Sequence, residues 1–304
     1  MRLVLATRRS PLALAQSRAF ARSLEAANPG LALAIEELHI VTSGDKTQDK
    51  PLQDIGGKGL FIKELEEALL DGRADFAVHS IKDVPAELAP SLRIACIPAR
   101  EDPRDALVAR DGLTLAALPP GSKVGTGSLR RIVALQSARP DLVFEPVRGN
   151  VDTRMRKVAE GQFDAVVLAF AGLRRLGWED RATDVIAPEV SLPAIGQGAL
   201  GIECRTDAAA AIAALAPLVH VETSICVAAE RAVMLAVDGS CRLPVAAFAV
   251  RDGNAMFLRG LLADPDGTNL RRGERRAPFP TTEDEAARLG RELGAELKSN
   301  AGAR

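Results

Sequence analysis

The sequence predicts an α/β fold with two similar lobes and a smaller α+β domain at the C-terminal end. Short β-rich segments alternate with helical periods, and this rhythm is typical of a parallel or mixed sheet covered by helices. The order strand, loop, helix, proline stop and strand occurs twice. The length of 304 residues is enough for two or three domains, and 47% hydrophobic residues are enough for packed cores.

The first lobe opens with a predicted strand over 2–6. Pro11 then begins a helix that runs to about Ala27, because proline suits the first turn of a helix. Asn28-Pro29-Gly30 ends this helix. The remaining predicted elements of this lobe are a strand over 33–41, an amphipathic helix over 60–70 and a buried strand over 75–79.

The second lobe follows Glu101-Asp102-Pro103 and repeats the plan. A strand over 123–125 leads into Thr126-Gly127-Ser128, and a helix, a proline stop and a strand over 143–147 come next. In the first lobe, Thr7-Arg8-Arg9-Ser10 occupies the corresponding loop. The repetition predicts two like domains that face one another across a cleft.

A glycine-rich stretch over 193–201 leads to the last part of the chain, where the order of elements changes. The predicted elements are a strand over 201–204, a helix over 222–237, strands over 245–250 and 256–262, and a helix over 282–297. The turn signal Asp252-Gly253-Asn254 separates the last two strands. The end of the chain is therefore predicted to be a small α+β domain.

The composition argues against several classes of protein. Lys plus Arg total 39 and Asp plus Glu total 40, aromatic residues are 3% and Tyr is absent, whereas nucleic-acid binders usually carry a basic excess and aromatic stacking platforms. No run approaches the ~18 apolar residues of a membrane span. The start of the chain mimics a twin-arginine export signal, but it lacks the ~7–15 apolar residues that such a signal needs.

The four cysteines show no C-x-x-C spacing, so zinc-site and thioredoxin-type patterns are missing. Cys96 and Cys204 lie in strand-like apolar runs and are expected to be buried as small hydrophobic residues. Nothing in the pattern demands an oxidising compartment. We therefore expect a cytoplasmic protein that binds neither nucleic acid nor a membrane.

Two glycine-rich motifs lack the flanking elements or residues that nucleotide or phosphate binding requires. The segment 196–201 matches G-x-G-x-x-G, but a dinucleotide fingerprint needs a strand before it and a helix after it, and here a strand-like run follows. A hinge or a crossing between domains accounts better for these glycines. Gly56-Gly57-Lys58-Gly59 resembles a phosphate loop, but Leu52 replaces its first glycine and Gly59 replaces its hydroxyl residue.

Two loops of the second lobe are candidate anion sites. In Thr126-Gly127-Ser128-Leu129-Arg130-Arg131, a strand ends and a helix begins, so that backbone N–H groups, hydroxyl groups and guanidinium groups can meet an anion. The alternative is a helix N-cap with solvated arginines. The second loop has the same arrangement of a strand end, a turn and a helix start with arginines. It is Arg148-Gly149-Asn150-Val151-Asp152-Thr153-Arg154, with Gly149 in a tight turn and Asn150 as a helix cap.

The segment His79-Ser80-Ile81-Lys82-Asp83-Val84-Pro85 ends a buried strand, which is where open sheets bind ligands. Asp83 is either half of an ordinary surface pair with Lys82 or, among arginines, a proton handler that stabilises a cation. The three histidines, His39, His79 and His220, are too scattered to suggest a metal site. Cys241 adds a thiol in the loop 239–244, and together these features suggest a polycarboxylate held by arginines and tethered through sulfur.

Ten ordered segments resemble the porphobilinogen deaminase family over about residues 2–275. They are TRRSPLALAQ, GGKGLFIKELE, AVHSIKDVP, EDPRDALV, VGTGSLRR, RGNVDTR, LAFAGLRRLG, LPAIGQGALGIEC, AAERA and DGSCRLPV. The resemblance implies two type II periplasmic-binding-protein-like domains with mixed sheets and a smaller C-terminal α+β domain. The implied ranges are 1–98 plus 199–216 for domain one, 103–193 for domain two and 218–304 for domain three.

The resemblance also implies the chemistry. Enzymes of this family condense four porphobilinogen molecules head to tail, release ammonia and then release hydroxymethylbilane. A dipyrromethane cofactor, one per chain, is implied to be bound through a thioether to Cys241 and to act as the primer. Asp83 aligns with the catalytic aspartate. No metal is implied, and the family is usually monomeric.

The remaining positions align with groups that hold the carboxylates of the pyrroles. The aligned arginines are Arg8, Arg130, Arg131, Arg148, Arg154 and Arg175. The aligned supporting residues are Ser10, Lys58, Ser80, Lys82, Thr126, Ser128, Gly149 and Gln197. The sequence departs from the family at Ser240, where a glycine is frequent, at Gly127, where a serine is frequent, and near Asp54, where a lysine is missing. A non-catalytic anion-binding module on the same fold is the alternative function.

Overall fold

The structure is a computed structural model that describes residues 1–46, 62–85, 87–237 and 243–299. Within these ranges, it contains two five-stranded mixed sheets and a three-stranded antiparallel sheet, which confirms the α/β prediction. The chain divides into two compact units. The first comprises the described residues of Met1–Lys50 and Gly56–Glu101 together with Ala199–Ser224, and the second comprises Asp102–Gly198 and the described residues of Ile225–Arg304.

The elements are numbered in chain order. The strands are β1 (Arg2–Arg8), β2 (Ala34–Ile40), β3 (Phe76–Ser80), β4 (Leu92–Cys96), β5 (Asp105–Ala109), β6 (Lys123–Gly125), β7 (Val143–Glu145), β8 (Ala165–Ala169), β9 (Asp184–Ile186), β10 (Leu200–Arg205), β11 (Val245–Asp252), β12 (Ala255–Leu262) and β13 (Arg271–Pro278). The helices are α1 (Pro11–Ala27), α2 (Ser43–Lys46), α3 (Lys63–Leu70), α4 (Leu129–Ala138), α5 (Val151–Ala159), α6 (Phe170–Arg175), α7 (Ala209–Leu215), α8 (Val221–Ala236) and α9 (Glu283–Ser299). A 3₁₀ turn, Ile81–Asp83, follows β3.

The sheet of the first unit has the order β2-β1-β3-β10-β4. Strand β1 is parallel to β2 and β3, whereas β10 is antiparallel to β3 and β4. Phe20 and Leu24 of α1 pack on one face against Leu5 and Phe76, and α3 covers the other face. The carboxyl ends of β1 and β3 therefore lie at the same edge of this sheet.

The sheet of the second unit has the order β7-β6-β8-β5-β9, with β6 parallel to β7 and β8 and with β5 antiparallel to β8 and β9. Position by position, this is the topology of the first sheet. It confirms that the two lobes are variants of one plan. Strands β5, β8 and β9 were not predicted from the sequence, although they form the centre and one edge of this sheet.

The C-terminal part contains the sheet β11-β12-β13, and helices α8 and α9 pack against it through Val233, Leu258, Leu293 and Leu297. Strand β13 was not predicted because its eight residues, RRGERRAP, are mostly charged. It nevertheless pairs with all eight residues of β12.

Among the described residues, no single helix has the length and apolar character to cross a bilayer. The pair Ala209–Leu218 and Val221–Ala236 has them only when taken together, across a bend of 105°. Cys96 and Cys204 are buried, as predicted.

Candidate active site

In the first unit, the predicted site residues collect where β1 and β3 end. Arg8 is the last residue of β1, Ser80 is the last residue of β3, and Asp83 lies in the 3₁₀ turn that follows. These three side chains line one pocket together with Gln16 and His79. The structure thus brings Arg8, Ser80 and Asp83 together at the sheet edge where the sequence places a ligand.

The polar groups of this pocket are held by neighbours. Gln16 donates from Nε2 to Ser80 Oγ at 3.1 Å. Ser10 is the N-cap of α1 and accepts from the Ala13 N–H at 3.3 Å, so its hydroxyl already stabilises the helix. Lys82 and Asp83 are both exposed, in adjacent positions of the turn.

His79 also links this pocket to a buried carboxylate. His79 Nε2 lies 3.0 Å from Glu203 Oε2, and both side chains are buried. This contact was not predicted from the sequence, since 124 residues separate His79 from Glu203. The available signal was Glu203 itself, a carboxylate inside the apolar run Gly201-Ile202-Glu203-Cys204.

In the second unit, Arg130 and Arg131 occupy the first turn of α4 but are buried rather than solvated. The interpretation as a helix cap with solvated arginines is therefore wrong. Both side chains bind Asp105, with Arg130 Nη1 at 2.8 Å from Oδ2 and Arg131 Nη2 at 2.7 Å from Oδ1. Thr126 is buried as well, and its hydroxyl oxygen accepts from the Ser128 N–H at 3.2 Å.

Asp105 also accepts hydrogen bonds from Ser191 Oγ at 2.8 Å and from Gln197 Nε2 at 2.9 Å. Burial alone would raise the pKa of Asp105, but the charges of Arg130 and Arg131 outweigh it and hold the pKa far below its usual range. Two guanidinium groups therefore share one carboxylate. Sequence reasoning missed Asp105 as a site residue, although its segment EDPRDALV was among the ten that carry the resemblance.

The loop before α5 adds further arginines. Arg154 Nε donates to the Gly149 carbonyl at 2.9 Å. Burial and then the charges of Arg131 and Arg148 lower the pKa of Arg154 to about 10, so the guanidinium groups of Arg131 and Arg148 repel that of Arg154. An anion placed among them would relieve this repulsion. Asn150 is the N-cap of α5 as predicted, but its side chain makes no capping hydrogen bond.

Gly149 permits the tight turn of the loop before α5. Its φ of +110° lies outside the range that side chains tolerate well, and a Cβ at this position would lie 2.6 Å from Thr153 Cγ2. Arg175 Nη2 donates to the Gly198 carbonyl at 2.6 Å, and this contact joins α6 to the glycine-rich stretch. Lys58 and Cys241 lie outside the described residues.

Two family models cover almost the whole chain. Residues 3–213 match "Porphobilinogen deaminase, dipyromethane cofactor binding domain", and residues 224–299 match "Porphobilinogen deaminase, C-terminal domain". The chain belongs to the porphobilinogen deaminase family. Membership identifies it as a transferase of tetrapyrrole biosynthesis that makes hydroxymethylbilane and uses a dipyrromethane cofactor, and the alternative of a non-catalytic module is set aside.

Named relatives agree with this family. The porphobilinogen deaminase of Sorangium cellulosum is 74% identical over 97% of this chain and 98% of its own length. That of a Roseiflexus species is 49% identical over 88% of each chain. Among solved structures, the VFT2 domain of BvgS from Bordetella pertussis covers 71% of this chain and 86% of its own, with 18% identity and a TM-score of 0.42.

Proposed function

We propose that Asp83 is the catalytic residue of this transferase. The observation that carries the proposal is the pocket at the ends of β1 and β3, where Asp83 lies with Arg8, Ser80 and His79. An exposed carboxylate in this position can pair with the aminomethyl group of porphobilinogen and can stabilise positive charge on a pyrrole as ammonia leaves. Arg8 in the same pocket is suited to a carboxylate of the substrate.

We further propose that the arginines of the second unit hold the carboxylates of the pyrroles. The residues present fit a dipyrromethane with its acetate and propionate groups, because the charges of Arg131 and Arg148 repel Arg154 and, within the described residues, Asp105 is the one carboxylate bonded to Arg130 and Arg131. When bound, the cofactor supplies the primer to which substrate is joined. The proposed holding residues are Arg8, Arg130, Arg131, Arg148, Arg154 and Arg175, and the proposed supporting residues are Ser10, Lys58, Ser80, Lys82, Thr126, Ser128, Gly149 and Gln197.

The covalent link is proposed at Cys241. Intact-protein mass is expected to exceed the sequence mass by two pyrrole units and to match it in Cys241→Ser. Cys96→Ser is the control, because Cys96 is buried in β4 and should leave the added mass in place. A fully active wild-type enzyme with the bare sequence mass would overturn the covalent link.

The role of Asp83 is tested separately from the link. Asp83→Asn keeps the size of the side chain and removes its charge, so turnover should fall by about a hundredfold or more while the added mass remains. Asp71→Asn, an exposed acid of the same unit, should leave turnover unchanged. Normal turnover of Asp83→Asn would remove Asp83 from the mechanism.

We propose three domains over 1–98 plus 199–216, 103–193 and 218–304. A separate three-stranded sheet in the C-terminal part supports the third. We also propose that the enzyme works in the cytoplasm as a monomer, without nucleic acid or membrane. Cys96 and Cys204 are buried thiols in β4 and β10, as a reducing compartment would keep them.

A further inference from the structure

His79, which lines the Asp83 pocket, forms a buried pair with Glu203. In the register of β3 and β10, His79 faces Gly201 and Ala77 faces Glu203, so His79 and Glu203 project from the same face of the sheet. Their side chains are only 5% and 0% exposed, and 3.0 Å separates Nε2 from Oε2. His79 also lines the pocket that contains Asp83, so the pair connects this pocket with the buried face of the sheet.

A second, partly buried carboxylate, that of Glu66, accompanies this pair. Glu66 of α3 and Glu203 each have one buried oxygen, Oε1, that has no hydrogen-bond partner in the described part of the chain. Burial raises the pKa of Glu66, and the charge of Glu203 raises it further. Unsatisfied buried acids are costly and call for a functional explanation. Here the carboxyl groups of Glu66 and Glu203 both lie close enough to His79 to interact with it electrostatically.

The reaction of this family releases one proton in the pocket each time two pyrroles are joined. The C–N bond of an incoming porphobilinogen breaks and its electron pair leaves with ammonia. The C–H bond at the α-carbon of the other pyrrole also breaks, and its proton needs an acceptor. A histidine that donates from Nε2 to a carboxylate keeps Nδ1 unprotonated and able to accept.

We propose that His79 accepts this proton at Nδ1 and that Glu203 is a positioning residue that holds the ring and stabilises its charged form. The ammonia released in the same round then takes the proton from His79, and the ring returns to its neutral state. The charged groups that surround His79 are Arg8 from β1, Asp83 from the 3₁₀ turn, Glu66 from α3 and Glu203 from β10. This inference rests on the proposed function, in which Asp83 handles the substrate amine.

The kinetic test uses porphobilinogen deuterated at its free α-carbon. In the wild type, we expect an isotope effect on turnover near one, because His79 makes C–H cleavage fast. In His79→Gln, turnover should fall about a hundredfold, and the isotope effect should rise several-fold because C–H cleavage becomes limiting. Glu203→Gln should shift both quantities in the same direction.

The chain supplies a matched control. His39 and Glu37 form the same kind of pair at 2.8 Å, but the pair is partly exposed and belongs to β2. His39→Gln and Glu37→Gln should therefore leave turnover and the isotope effect unchanged. If His79→Gln is slow but its isotope effect stays near one, His79 has only a structural role and the proposal is overturned.

Nitrogen NMR of the histidine rings gives a readout that does not depend on turnover. The chain has only three histidines, so His39→Gln and His79→Gln assign the signals. We expect His79 to be neutral with its hydrogen on Nε2, and a hydrogen on Nδ1 would overturn the proposal. Turnover of Asp83→Asn separates this outcome from failure of the proposed function, because normal turnover of that variant would contradict the role of Asp83, whereas the position of the hydrogen on His79 tests the further inference alone.

Discussion

At Asp105, a single side chain decides the position of two of the proposed carboxylate-binding arginines. Its carboxylate binds Arg130 and Arg131 and also accepts from Ser191 and Gln197. Burying these charges is costly, and the pairing offsets the cost only while both signs are present. The low pKa of Asp105 means that its stabilising effect is complete above the pKa of the unfolded chain and is lost as pH falls through the folded-state pKa.

Asp105→Asn is expected to destabilise the fold. The change leaves two buried guanidinium groups without their counter-charge, and breaking such a pair costs about 3–5 kcal/mol. Urea unfolding at pH 7 measures the loss, which should shrink when the pH is lowered below about 4, because the wild-type carboxylate then loses its advantage. Asp71→Asn breaks an exposed pair with Arg73 and should cost less than about 1 kcal/mol. Equal effects of the two variants would contradict the role given to Asp105.

At the scale of elements, helices α8 and α9 lie so close that glycine is required between them. A Cβ on Gly290 would lie 2.1 Å from the Ala229 carbonyl oxygen, and one on Gly294 would lie 2.5 Å from the Ala236 Cβ. The first contact involves backbone, so no side-chain rotation can relieve it. The two helices would have to separate from each other, and the core that they share with β12 would open.

Gly290→Ala is expected to lower the free energy of unfolding by about 3 kcal/mol. Alanine stabilises a helix by about 1 kcal/mol relative to glycine, whereas the clash with the Ala229 carbonyl destabilises the fold. The sign of the measured change therefore tells whether helix propensity or the clash dominates. Gly30→Ala is the control, because nothing lies within 4 Å of its Cβ position and its effect should stay within about 0.5 kcal/mol. Thermal unfolding of both variants makes the comparison. A stabilised Gly290→Ala variant would refute the close packing.

Local signals predicted the elements that carry strong start and stop residues. The bounds of α1 (Pro11–Ala27) agree with the prediction because Pro11 and Asn28-Pro29-Gly30 mark both ends. Strand β5 was missed because its five residues carry no turn signals that separate a buried strand from other apolar runs. Strand β13 was missed because its pairing with β12, rather than its own composition, makes it a strand.

The site residues, like the elements, include some that were predicted from the sequence and some that were missed. Asp83 was predicted because it follows a strand, whereas Ser80 was predicted from the family resemblance and Arg8 from its loop before a helix and from the resemblance. The parallel arrangement of β1 and β3 brings these positions together. Asp105 and the His79–Glu203 pair were not predicted, because their contacts join residues far apart in the chain. Whether a buried charge has a partner depends on the tertiary fold, and no local pattern contains that information.

Across the whole molecule, the two five-stranded sheets share one topology but differ in the charged residues that are proposed to contact the ligand. The described site residues of the first unit include Arg8, Lys82 and Asp83, whereas the predicted arginines Arg130, Arg131, Arg148, Arg154 and Arg175 all belong to the second. Each added pyrrole brings two more carboxylates. The demand for guanidinium groups therefore grows with every round, and the later additions should depend most on the second unit.

Arg148→Ala is therefore expected to slow the later additions more than the first. Losing one charge-assisted contact removes about 1.5–3 kcal/mol, which corresponds to about a tenfold to hundredfold weaker hold on the growing product. Native mass spectrometry during turnover should show partly elongated complexes accumulating. Arg156→Ala, on α5 with an exposed Glu160 partner, should show the wild-type distribution. A normal distribution in Arg148→Ala as well would mean that the cluster of Arg131, Arg148 and Arg154 does not hold the product, whatever its charge.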